Sequence, residues 1–290
     1  MKHTIENEFL KIEIIEKGAE LNSIWQKKHQ MEYLWSGDPS FWAKKSPVLF
    51  PIVGTLKNNE YFFEDKSYSL GRHGFAREKL FTVTKQSGER LEFTLEADSD
   101  TLVKYPFHFQ FQVIYQLRYD DLDVKYVVTN AGDKEMFFSV GAHPAFRLPL
   151  ANGTKYEDYY LLFETDEDTG RWPISAEGLI ESSPVPVLRN PRRLEVSKEL
   201  FQEDALVFKQ LRSQKIELAS GNTGRGIEMR FPGFPYLGIW AAKNADFICI
   251  EPWCGIADSV DADQQLINKE GINRLQPGES FTRTWTARFF

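Results

Sequence analysis

Cysteine is scarce in this chain: Cys249 and Cys254 are the only two in 290 residues. A disulfide framework is therefore excluded, and two reduced thiols are expected. Two thiols with no second pair and no histidine nearby in sequence give no zinc signature. Basic runs are also missing, and the net charge is −7. That argues against nucleic acid or an anionic membrane as the partner. No stretch approaches the roughly 18 apolar residues of a membrane span. The opening MKHTIENEFLKIEII has no apolar core of signal-peptide length, so a cytoplasmic location is expected. The phosphate-cradling G-x-x-x-x-G-K-[ST], the zinc-binding HExxH and the nucleophile-elbow GxSxG do not occur. The glycines of SGNTGRG, residues 220–226, follow no βαβ unit and read as a flexible turn.

Aromatic residues are abundant: 23 Phe, 11 Tyr and 7 Trp, or 14% of the chain. They suit wide sheets and a ring-lined cleft. Alternation with a period of two recurs throughout. In FHFQFQVIYQLRY, residues 107–119, the aromatic and aliphatic side chains from Phe107 to Tyr119 share one face, and Ile114 is the exception. DVKYVVTN at 123–130 follows a turn and reads as its hairpin partner. Segments 11–18, 91–98, 226–231, 247–253 and 280–290 alternate in the same way. Helical patterns are confined to SKELFQED at 197–204, with Ser197 as a cap, and DADQQLIN at 261–268. Strands follow strands without a βαβ rhythm. The expected fold is all-β, large antiparallel sheets packed as one domain over residues 1–290.

Three segments join a titratable group to turn residues. LGRHGFAR, 70–77, sets His73 between Gly71 and Gly74, with Arg72 and Arg77 alongside. SVGAHPAF, 139–146, carries His143. FICIEPWCGIADS, 247–259, carries Glu251, followed by Pro252, Trp253 and Asp258. Pro144 restricts His143 to extended backbone and removes the next ladder donor, so the strand must end or bulge there. Glu251–Pro252 repeats the pattern, and Glu251 is expected to end its strand. Both side chains then stand at strand ends on rigid backbone, which pre-organises an acid and a base.

Taken together, LFPIVG, YSLGRHGFAR, SVGAHPAFRLP, DALVFK, GFPYLGIW and FICIEPWCGIADS resemble the aldose 1-epimerase (galactose mutarotase) family, in particular its LacX-like branch. The resemblance runs from about residue 5 to the C-terminus. It implies a β-supersandwich with a sugar cleft and no metal or organic cofactor. It implies Glu251 as general base at the anomeric hydroxyl, His143 as general acid at the ring oxygen, and His73 as a group that binds and polarises the sugar. Asp204, in DALVF, matches the family's sugar-binding aspartate. Arg77, Arg72, Trp240 and Trp253 are further substrate-binding candidates, and Asp258 a supporting one. The expected reaction needs a protonated imidazole beside an ionised carboxylate, two groups with separated pKa values, with the charge of Glu251 helping to keep the imidazolium charged. Thr55 stands where many relatives carry a substrate-binding arginine.

The expected function is thus interconversion of the α and β anomers of an aldohexose. A hexose 6-phosphate is the close variant, because Lys44, Lys45, Lys57, Arg72 and Arg77 could form a cationic cluster. A non-catalytic sugar-binding protein is the alternative from another class. A metal hydrolase using His73, His143 and Glu251 has the right residue types but no supporting ligand spacing. The partner expected is a small sugar or sugar phosphate, with monomer and homodimer both open.

Overall fold

The structure, a computed structural model, describes residues 1–188 and 190–290. Two large antiparallel sheets dominate. The larger has nine strands, in the order Arg193–Glu195, Tyr159–Phe163, Lys215–Ser220, Thr223–Arg230, Ser280–Phe289, Asp121–Asn130, Phe109–Arg118, Arg90–Glu96 and Thr82–Gln86. The other runs Leu206–Lys209, Tyr236–Trp240, Phe247–Cys254, Val140–Ala142 and Val48–Leu49, with Ala145–Arg147 also on Phe247–Cys254. A four-stranded sheet formed by residues 2–32 flanks them.

Aromatic side chains join the layers. Phe50, beside the smaller sheet, stacks on Phe111 of the nine-stranded sheet with centroids 4.6 Å apart. Phe163 of the larger sheet meets Phe208 of the smaller edge-on. These rings belong to one contiguous buried cluster. Alternation produced this packing: Phe109, Phe111, Val113, Tyr115 and Leu117 are all buried, and Gln110, Gln112 and Gln116 are not.

The expected hairpin is present, pairing Phe109–Arg118 with Asp121–Asn130. Tyr119 departs from the expected buried face. It occupies the turn at φ 54° and is 78% exposed, because the tight connection needs a left-handed residue there. Both expected helices shrink to single 3₁₀ turns, Lys198–Phe201 and Leu266–Asn268, and Ser197 makes no capping bond. A helix at Ser99–Lys104 goes unread in the alternation; Asp98 caps it by accepting the Thr101 N–H at 2.7 Å.

Candidate active site

Val140–Ala142 and Ala145–Arg147 pair with the same strand, Phe247–Cys254, and their register is unchanged across the gap between them. Pro144 therefore interrupts the ladder without shifting it, as the GAHP motif predicts. The interruption lies where Ala142, His143 and Pro144 face Ile250, Glu251 and Pro252, so His143 stands directly opposite Glu251. Their side chains meet at 3.3 Å, His143 Nε2 to Glu251 Oε2. The expectation that Glu251 ends its strand is corrected. Phe247–Cys254 continues through Pro252, because its other ladder, to Tyr236–Trp240, is unbroken from Cys249 to Trp253.

The pair sits at the bottom of a cleft of about 430 Å³. Glycines shape the floor. Gly141 and Gly238 flank Trp253 on the neighbouring strands, and a Cβ on either would lie 2.6 or 2.4 Å from the indole. The absent side chains let the ring lie across the sheet, where its Nε1–H donates to the Ala142 carbonyl at 3.2 Å. Trp42 stacks on the His143 ring with centroids 4.9 Å apart, and Trp240 meets it edge-on at 5.6 Å.

His73 lies in the left-handed region, φ 68°, followed by Gly74 at φ 70°. Its Nδ1 accepts the Gly54 N–H at 3.0 Å, and its own N–H donates to the Gly54 carbonyl at 2.8 Å. The first bond fixes the neutral tautomer with its hydrogen on Nε2. Burial, with His143, Arg72 and Arg77 nearby, holds the ring well below the ordinary imidazole range. His73 is thus a neutral donor on the cleft wall.

The expected binding residues Arg72, Arg77, Asp204 and Trp240 all line the cleft, as does Trp253. Arg72 reaches Asp204 at 3.5 Å. Asp204 also accepts the Ala205 N–H at 2.7 Å. Arg77 donates to the Arg72 carbonyl at 3.0 Å, while its buried Nε has no partner. The expected five-residue cationic cluster does not assemble. Lys44 pairs with Glu78, Lys45 donates to the Asn22 carbonyl and Lys57 to the Val260 carbonyl. Only Arg72 and Arg77 of that set line the cleft, joined by Lys243.

Asp258 stands behind the cleft. It accepts from Lys269 Nζ at 2.6 Å and from the Lys57 N–H at 2.9 Å, with both ends of the ion pair buried. Thr55 is buried under the turn at Gly178, where a Cβ would lie 2.7 Å from the threonine Oγ1. The turn belongs to a segment whose Ile174 and Ile180 line the cleft. It occupies the space above Thr55 that a longer side chain at 55 would enter.

Electrostatics in the cleft oppose the expected charged pair. Burial pushes the Glu251 carboxyl well above the usual carboxylate range; Arg72 works against the shift and Asp204 adds to it. Burial, then Arg72, pushes the His143 imidazole down to about 3. Burial therefore disfavours charge on both groups, against the expected ionised pair.

Sequence reasoning missed Trp42, Lys243 and the Ile174–Ile180 wall. They come from irregular stretches with no periodicity to place them. Trp42 alone left a trace, as an aromatic in the turn-rich SGDPSFWAKKSP.

The family model for aldose 1-epimerase matches residues 1–286. The chain belongs to the aldose 1-epimerase family. It is 32% identical to protein LacX, chromosomal, of Lactococcus lactis subsp. lactis, over 97% of each chain. A galactose mutarotase related enzyme from Lactobacillus acidophilus superposes with a TM-score of 0.94 at 36% identity, covering 100% of this chain and 97% of the other. A galactose mutarotase-like protein from Lactobacillus casei gives 0.91 at 32%, covering all of both chains. The fold is accordingly the galactose mutarotase-like β-supersandwich.

Proposed function

We propose that the protein is a cofactor-independent mutarotase that opens and recloses the ring of an aldohexose. One observation carries the reading: a buried carboxyl and a buried imidazole face each other at 3.3 Å at the bottom of a sugar-sized cleft, in the register their strands impose. Ring opening removes the proton of the anomeric hydroxyl and delivers one to the ring oxygen. A carboxyl–imidazole pair holding a single proton supplies both functions.

Glu251 takes the O1 proton. The O1 electrons close the C1=O1 bond, the C1–O5 bond breaks, and O5 receives a proton from His143. Rotation about C1–C2 presents the other carbonyl face. Reclosure returns both protons and yields the other anomer. The productive charge state is reached by moving the proton from Glu251 to His143 across the 3.3 Å gap. Seated sugar hydroxyls can solvate the carboxylate, Arg72 favours it by charge, and the Trp42 face favours the imidazolium. His73 donates from Nε2 to a sugar oxygen. Asp204, Arg72 and Arg77 hold hydroxyls, and Trp240 packs on the apolar face of the pyranose.

Arg72, Arg77 and Lys243 on one cleft favour a second reading in which the hexose carries a 6-phosphate. Both free thiols agree with a reducing cytoplasm. Anomer-exchange NMR on glucose, galactose and their 6-phosphates, in chelator, tests the reading. Faster exchange of one sugar's α and β signals identifies the substrate. A sugar that binds without faster exchange in any of the four cases would instead mark a binding protein.

A further inference from the structure

Cys249 lies two residues before Glu251 on the same strand, so both side chains project from one face of the sheet. The thiol is fully buried and free, and neither ring opening nor sugar binding uses it. His143, Cys249 and Glu251 each bring one potential ligand atom into a group whose atoms all lie within 4.8 Å of one another. Nitrogen, sulfur and oxygen are the donor set of zinc. Zinc bonds of about 2.0–2.1 Å at a tetrahedral angle put a nitrogen and an oxygen about 3.3 Å apart. His143 Nε2 and Glu251 Oε2 already stand at 3.3 Å. Glu251 Oε2 is buried without any hydrogen-bond partner, on a side chain only 2% exposed. A buried oxygen of that kind is costly to leave unmatched, and a cation would satisfy it.

We infer that the cleft holds a zinc-class divalent cation on His143, Cys249 and Glu251, and that this metal inhibits the protein. Cys249 binds as the thiolate, Glu251 as the carboxylate and His143 as the neutral imidazole, so the thiol proton and the single proton of the pair both pass to the buffer. His143 and Glu251 line the cleft, through which zinc would reach the three ligands. Metal in this place occupies the imidazole nitrogen and the carboxylate that handle the sugar's protons, and it blocks the ground where the anomeric centre must sit. Zinc and sugar therefore compete. The ligand set differs from the one the sequence offered: His73 is outside it, with Nδ1 already bonded to Gly54, and a cysteine takes its place.

Inhibition rests on the mutarotase reading, whereas metal binding does not, so two readouts separate them. The first is anomer exchange against zinc concentration. Zinc slows the wild-type protein, raised sugar relieves the inhibition, and excess EDTA reverses it. Cys249→Ala and Cys249→Ser keep turnover but need at least about tenfold more zinc, since weaker perturbations of metal sites already cost that much. Cys254→Ala, at the other buried thiol, keeps full zinc sensitivity. The second readout is cobalt(II) titration followed by absorption. The wild-type protein gives a thiolate-to-cobalt charge-transfer band that both Cys249 variants lack. Insensitivity of the wild type to zinc, undiminished sensitivity of both Cys249 variants, or cobalt binding without the thiolate band would each overturn the inference. If no sugar is turned over, the cobalt titration alone decides it.

Discussion

His143 and Glu251 face each other in a place where burial disfavours charge on both. Glu251 titrates higher in the folded chain than its ordinary 4.5, so folding loses stability as pH rises through the folded value. His143 titrates near 3 rather than 6.5, so folding also loses stability as pH falls across that interval. Glu251→Gln removes the first cost while keeping the shape. It should raise stability by about 1–2 kcal/mol at pH 8, with a smaller gain at pH 5, read by denaturant unfolding. Equal or lower stability at pH 8 would mean that the carboxylate is well solvated. The same shifts set the pH dependence of the rate. A second proton enters the pair only in strong acid, so the acid limb of kcat/KM should lie well below 6.5. Loss of the shared proton sets the alkaline limb. An acid limb near 6.5 would show an ordinary histidine instead.

At the scale of the strand, one proline and two glycines shape the site. Pro144 breaks one ladder where His143 faces Glu251, and Gly141 and Gly238 make room for Trp253. Gly238→Ala should cost about 1–3 kcal/mol, because its Cβ would lie 2.4 Å from the indole. The cost should fall in a Trp253→Phe background, by a double-mutant cycle. Equal costs in both backgrounds would remove Trp253 as the cause. Much of this was legible in the sequence. Alternation announced the strands, and His143–Pro144 announced an interrupted one. Glu251–Pro252 was misread, because a proline shows only that a donor is missing, and the neighbour on each side decides whether the strand survives. Lys243 and the Ile174–Ile180 wall were invisible for a related reason: irregular segments take their places from what they pack against, and no period records that.

Across the whole molecule, the cleft is assembled from segments far apart in the chain. The Lys57 N–H donates to Asp258 across 201 positions, and the Asp258 N–H donates to the Thr55 carbonyl at 2.9 Å. Lys269 completes the join from 11 positions further on. Lys269→Met leaves the Asp258 carboxylate buried without its cation. It should cost about 3–5 kcal/mol, with Asp258→Asn added to it restoring part of the loss. A cost under about 1 kcal/mol would make the pair a bystander. The fold class and the resemblance to aldose 1-epimerases were legible because they rest on many strands and six separated motifs. The directions in which Glu251 and His143 are shifted were not, because they depend on desolvation, a property of the assembled cleft. The most direct test of the central claim is anomer exchange in chelator by wild type and Glu251→Gln, on a sugar that the wild type turns over, with sugar binding measured alongside. The account predicts retained binding with exchange slowed ~10²–10⁴-fold in the variant. Near-normal exchange by Glu251→Gln would contradict it.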